Sequence, residues 1–307
     1  MSVNKSTNVR ISQRAHMLRM GAMATAVRAA TPLAPRLAAE LAADVFFATP
    51  PPRPTTSAEA RVLARARRSE LVHDGERLAT WRWGAGAVVV LMHGWGGSAA
   101  QLTPLVDPLL EAGLEVIAID APGHGESTGR QASIPRFAGV IDRVVREVGS
   151  AYGVIAHSMG GAAASLALAR GLDVERAAFV GPPSDAMRWF RTFERAIRLD
   201  PKVSRETLRV IERRAGVSVE ALRAEVLGPA VRVPLLVVHD RDDREVPLAE
   251  GEEVARSTPG AQLRVTSGLG HRRILADAQV IRDVVDFVAA RPLSMASTVL
   301  SAGAAAA

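Results

Sequence analysis

The chain of 307 residues contains no cysteine. That absence excludes a thiol nucleophile, disulfides and any zinc site built on cysteine, and it leaves the redox compartment open. Aromatic residues are scarce, at 4%. No lysine-rich run or nucleic-acid recognition motif is present, so the formal charge of +6 does not point to a nucleic-acid partner. The sequence also lacks an unbroken apolar run near the roughly 20 residues that a membrane-spanning helix needs. Arg28 interrupts the stretch that could act as a secretory signal core, and no cleavage site follows. No internal repeat is found. A cytoplasmic protein without metal or cofactor is expected, its oligomeric state unread.

What is present is a large apolar fraction, 48% of residues, enough to bury a full core. The alternation of strand-like and helix-like segments from Glu70 to Ala290 predicts an α/β fold, a doubly wound and mostly parallel sheet with one insertion. The Pro-rich stretch Thr49–Ser57 can form neither helix nor central strand and reads as a linker. It divides an N-terminal extension (1–57, linker included) from a catalytic domain (58–293), and an Ala/Ser-rich tail (294–307) is expected to be disordered. Up to residue 45 the extension carries Lys5, Arg10, Arg14, Arg19, Arg28 and Arg36 against Glu40 and Asp44. Met20, Met23 and Val27 recur at helical spacing, and Pro32 and Pro35 should break the helix in two. Such a segment is expected to pack on the catalytic domain or a partner, with contact to the inner-membrane surface as the alternative.

The chemistry is concentrated at the ends of strand-like runs. Gly153–Gly161 reads as a strand entering a helix with Ser158 at the corner, flanked two residues away by the small Ala156 and Gly160. A serine hydroxyl needs a base to take its proton and a third group to orient that base. Upstream, the buried-strand run Ala87–Met92 ends in His93-Gly94-Trp95-Gly96-Gly97, a loop able to aim backbone N–H groups at a developing oxyanion; the donors expected are those of Trp95 and Met159. His93 is expected to buttress this loop. The run Glu115–Asp120 enters a Gly/Pro-rich turn in which Asp120 and His124 are read as structural. After the strand-like Val233–Val238, Asp240, Asp242 and Asp243 compete for the role of the acid. After Gln262–Val265, His271 stands in a glycine-bordered loop.

The order serine, aspartate, histidine, each at a strand end, resembles the α/β-hydrolase superfamily over roughly residues 70–290, in particular bacterial proteins known simply as α/β-fold hydrolases. The resemblance rests on Asp120-Ala-Pro-Gly-His-Gly, Ala156-His-Ser-Met-Gly, His239-Asp-Arg-Asp-Asp-Arg-Glu-Val-Pro and Leu269-Gly-His-Arg-Arg-Ile-Leu. Ala156 stands where the family more often has glycine. The resemblance implies a Ser158–Asp243–His271 triad, since the family's acid precedes the Val-Pro pair by three residues, and an acyl-enzyme intermediate. In such a bacterial protein the positive charge follows from an arginine-rich, high-GC composition. The fifty or so residues at about 182–230 then form a helical cap, in which Trp189, Phe193 and Ile197 recur every four residues. Trp95, Trp189 and Phe193 are expected substrate contacts. An apolar cap favours a small-molecule acyl substrate over a charged one. The expected activity is serine hydrolysis of an ester or thioester, with an acyltransferase or a non-catalytic binding protein as alternatives.

Overall fold

Residues 18–290 are described by the structure, a computed structural model; the tail expected to be disordered lies outside them. Eight strands are found among these residues: β1 (Arg67–His73), β2 (Glu76–Trp83), β3 (Ala87–Met92), β4 (Leu114–Ile119), β5 (Ala151–His157), β6 (Val174–Val180), β7 (Leu235–Asp240) and β8 (Gln262–Thr266). They form one sheet in the order β1-β2-β4-β3-β5-β6-β7-β8. β2 runs antiparallel to both its neighbours, and the pairings from β4 to β8 are parallel. The β1–β2 hairpin, which sequence patterning did not resolve, turns at Asp74-Gly75, both with positive φ as a tight two-residue turn requires.

The helices, in chain order, are α1 (18–30), α2 (Pro35–Phe47), α3 (Ser57–Leu63), α4 (Val106–Glu111), α5 (Ile134–Val148), α6 (Met159–Ala169), α7 (Ala186–Ile197), α8 (Pro201–Ala215), α9 (Ala224–Leu227), α10 (Leu248–Ser257), α11 (Gly270–Arg273) and α12 (Ala278–Ala289). The continuous apolar run of β3 serves both faces of the sheet. Val88, Val90 and Met92 pack toward α5 and α6, whereas Val89 and Leu91 pack toward α4 and α12. This two-sided burial explains why a parallel strand shows no polar alternation in sequence. α5 begins at Ser133, whose hydroxyl accepts the Arg136 N–H, and stops at Gly149. Its apolar face presents Phe137, Val140, Ile141 and Val144 to the core. α6 is made mostly of Ala, Gly and Leu and is buried on nearly all sides, so it lies close against the sheet.

The insertion after β6 folds as α7, α8, α9 and short 3₁₀ turns. α1 and α2 lie against α7 and α8. The chain breaks between them at residues 31–34, and Pro35 opens α2. The fully buried Ala38 and Ala42 let α2 approach the cap closely, where Val27 and Val45 meet Ile197, Leu199 and Val203. Met20 and Met23 pack against the same cluster. On the outer side of the contact, Arg213 pairs with Glu40, and Arg214 with both Glu40 and Asp44. The end of α2 is tied to the loop that precedes α5: Ala132 N–H donates to the Phe47 carbonyl and Thr49 N–H to the Arg130 carbonyl, each at 3.0 Å.

Candidate active site

Ser158 has φ 53° and ψ −126°, a conformation rare for a residue with a side chain and costing of order 1–3 kcal/mol. The surrounding fold imposes it. Ser158 N–H donates to the Val180 carbonyl on β6 at 2.9 Å, and α6 starts at the next residue. The turn is possible because its neighbours have no room for a Cβ. One on Gly160 would lie 2.5 Å from the His93 carbonyl oxygen, and one on Gly94 would lie 2.7 Å from the Ser158 Cβ. The small residue at each place is therefore a condition of bringing β3 and β5 to the serine.

His271 and Asp243 arrive from adjacent loops beyond β8 and β7. Their side chains are bonded at 2.6 Å, Nδ1 of His271 to Oδ2 of Asp243, with both residues buried. An ionised carboxylate accepts, so Nδ1 carries the proton and Nε2 is left with a lone pair. Burial alone would raise the Asp243 pKa. The hydrogen bond from His271, together with the N–H groups of Val246 and Glu245, outweighs burial and holds it below the usual carboxylate range. Asp243 is thereby kept charged. The hydrogen bond between the Ser158 hydroxyl and His271 is not formed among the described residues; such contacts commonly tighten when substrate is bound.

The other two aspartates hold the loop that carries the histidine. Asp240 accepts from the N–H groups of Asp242, Leu269 and Gly270 and from the Thr266 hydroxyl, and Asp242 accepts from Gly268 N–H. His157 adds a contact that sequence reasoning missed. Its Nε2 lies 2.8 Å from the His271 carbonyl oxygen, to which it donates, and the two rings are 4.7 Å apart. Burial, reinforced by the nearby His271, lowers the His157 pKa to about 3, so the ring stays neutral. The signal was present in sequence, since His157 immediately precedes the serine, but its partner lies 114 residues away.

The Trp95 and Met159 N–H groups donate to no other backbone group among the described residues, which leaves them free for an oxyanion. His93 braces the loop of Trp95. Its Nδ1 donates to the Gly94 carbonyl at 2.7 Å and its Nε2 accepts the Ala121 N–H at 3.0 Å. Asp120 bridges two loops through the N–H groups of Ala99 and Glu126, both at 2.7 Å. Burial pushes its pKa up to about 7 against those two bonds. His124 is buried beside His93 and Phe137.

Ser158 opens into an apolar cavity of about 90 Å³. Trp95 and Met159 lie at the serine, Ile134 and Pro135 come from the start of α5, Trp189 from α7, and Ile211 and Ala215 from α8. Phe46 and Phe47, at the end of α2, line it too, and Ser133, Ser184 and Asp185 are its polar members besides Ser158. Of the three expected substrate contacts, Trp95 and Trp189 line this cavity and Phe193 does not. The expected single stripe divides, because Phe193 turns from the cavity and sets its ring 5.2 Å from that of Phe46, joining α7 to α2. The cap is fastened at its entry by the buried Glu250. This carboxylate accepts from Ser184 N–H and hydroxyl at 2.7 and 2.6 Å and from Asp185 N–H at 3.2 Å, and pairs with Arg188.

A family model described as the alpha/beta hydrolase fold matches residues 87–230. Over 114 residues the chain is 41% identical to a dihydrolipoyllysine-residue acetyltransferase component of the acetoin cleaving system from Cupriavidus necator, but that match spans only 36% of this chain and 30% of the relative. It is 29% identical to a pimeloyl-[acyl-carrier protein] methyl ester esterase from Xanthomonas oryzae pv. oryzae, over 68% of this chain and 98% of the relative. Among solved structures, an esterase from Pyrococcus furiosus superposes with a TM-score of 0.60 at 20% identity, covering 78% of this chain and 98% of the other. With the strand order, the serine elbow and the family match in agreement, the chain has the α/β-hydrolase fold.

Proposed function

We propose that the protein is a serine hydrolase that cleaves a carboxylic ester or thioester with a small hydrophobic acyl group. The observation that carries this reading is the buried Asp243–His271 bond, its imidazole ring 4.7 Å from that of His157, the residue just before a serine that is held in a strained elbow and lines an apolar cavity. In the proposed sequence, His271 Nε2 takes the Ser158 hydroxyl proton as the oxygen attacks the carbonyl carbon. The oxyanion is held by the Trp95 and Met159 N–H groups. Collapse of the tetrahedral intermediate breaks the bond to the alcohol or thiol, which leaves with the proton from His271. Water then adds to the acyl-enzyme, losing its proton to His271, and the acid is released as Ser158 recovers its own. Asp243 remains charged throughout and steadies the imidazolium.

The support for the substrate class is the lining: a charged acyl group would lose its hydration in this cavity and find little to replace it. The similarity to an esterase over nearly all of that relative's length agrees with the reaction type. The test is a fluorophosphonate probe followed by peptide mass spectrometry, run beside a p-nitrophenyl ester assay. An adduct at Ser158 and ester turnover, both lost in Ser158→Ala, are expected. Folded wild-type protein that neither labels nor turns over esters would defeat the proposal. Partitioning of the acyl group to added alcohols in preference to water would make the enzyme an acyltransferase.

A further inference from the structure

We infer that the N-terminal segment is part of the substrate site, and that Phe46 and Phe47 at the end of α2 set the acyl-chain length the cavity accepts. The inference uses the hydrolase reading for its choice of ester probes, but the binding comparison below does not depend on turnover.

Several independent contacts place these two rings where they can act on a substrate. Both line the same cavity as Ser158 and Met159. Phe47 is buried, in a cluster with Phe190, Val210 and Ile211. Phe46 is half-buried, and its ring packs edge-on against Phe47, Phe190 and Phe193 at 5.2–6.2 Å. The backbone that carries them cannot drift, because the Phe47 carbonyl accepts from Ala132 N–H and residues 132–135 line the cavity too. A few residues back along α2, Glu40 and Asp44 hold Arg213 and Arg214 on α8. α8 in turn supplies Ile211 and Ala215 to the lining. α2 and α8 are thus locked together as one wall. The linker then passes over the loop of the oxyanion donors, where a Cβ on Gly96 would meet Pro50 at 3.2 Å.

The chemistry follows from size. The cavity is small, about 90 Å³, and two phenyl rings stand in its wall. In an apolar pocket each methylene that fits, or fails to fit, changes selectivity by roughly 10-fold or more. Shortening these side chains should therefore lengthen the preferred acyl chain, and enlarging one should shorten it.

The experiment measures kcat/KM of the full-length protein for p-nitrophenyl esters from acetate to dodecanoate, in wild type, Phe46→Ala/Phe47→Ala and Phe47→Trp. Affinities for the corresponding fatty acids are followed through the fluorescence of Trp95 and Trp189, which face the same cavity. In the double variant the ratio of long-chain to short-chain values should rise about tenfold, and in Phe47→Trp it should fall. Phe47→Leu, which keeps most of the packing, gives the same comparison should the double variant not fold. If all chain lengths change in parallel, in both turnover and binding, the segment is merely a structural support and the inference is overturned. If wild type neither hydrolyses esters nor labels at Ser158, yet binding preference moves with the phenylalanines, the hydrolase reading falls and this inference stands.

Discussion

Beneath the cavity, Asp240 alone accepts four hydrogen bonds and so fixes the loop of His271. Above it, Phe46, Trp189 and Ile211 line an apolar wall, and the ion pairs that align α2 with α8 sit on the outside. The floor is held by directed bonds at strand ends, where a shift of 1 Å would cost about 100-fold in rate. The roof is held by packing, which tolerates changes of shape as long as volume is kept. One fold thus combines a proposed reaction centre that is held rigidly with a cavity wall free to change, which is how one chemistry can serve many substrates.

The comparison can be broken most directly at the floor. Ser158→Ala should lower kcat by at least about 10⁴ without loss of fold, and Asp243→Asn should cost about 10⁴ through the wrong imidazole tautomer; loss of less than tenfold in either would show that the floor is not the reaction centre. His157→Ala should lower kcat roughly 10–100-fold with little change in KM, because it releases the His271 carbonyl. His157→Gln, which keeps a donor, should recover part of that loss; equal damage from both would make His157 simply a packing residue. At the roof, Glu250→Ala leaves the donors of Ser184 and Asp185 unpaired, a loss of about 1–3 kcal/mol in chemical denaturation. Trp189→Ala is smaller still, since 47% of that residue is exposed. It should alter the chain-length profile more than the melting temperature, and a fall in stability without a change of profile would place Trp189 in the framework.

The two regions also differ in what acid does to them. Burial lowers the pKa of His124 to about 4 and that of His157 to about 3, and it holds that of His93 well below the usual value. Their contribution to stability is complete above about 6.5 and is lost as pH falls, because the unfolded chain takes up protons that the folded one refuses. Asp120 acts in the opposite sense. Its raised pKa of about 7 gives stability that is complete below about 3.8 and lost as pH rises through about 7. Three groups oppose one, so urea midpoints should be lower at pH 5 than at pH 7.5. A midpoint that rises on acidification would mean that Asp120 dominates. The roof carries no comparable set of buried histidines among the described residues, so acid should loosen the floor first.

This division explains what could be read from the sequence. Ser158, the oxyanion loop and His271 each stand at the end of an apolar run with glycine beside them, so a local pattern marks each one. The choice among Asp240, Asp242 and Asp243 rests instead on the resemblance to the α/β-hydrolase pattern, in which the acid precedes the Val-Pro pair by three residues. The wall of the cavity has no such pattern. Phe46 and Phe47 lie more than a hundred residues from Trp189 and Ile211 in the chain, and packing leaves no periodic trace of which apolar surfaces will meet. Phe193 shows the same limit from the other side: helical spacing placed it on one stripe with Trp189, but the helix is wrapped by α2, so neighbouring positions face different surroundings. The division of β3 between two core faces was similarly invisible, since both faces demand the same residue types.

The linker Thr49–Ser57 gives the roof a further property. Four of its residues are proline, and such a segment is extended and semi-rigid, so it keeps its two ends at a nearly constant separation. It acts as a tether that holds α2 at high effective concentration beside the cavity. A wall that partly detaches is returned within the same molecule, independent of dilution. Cutting this tether would turn the closing of the site into a two-body association. The selectivity of the enzyme would then depend on how much protein is in the tube.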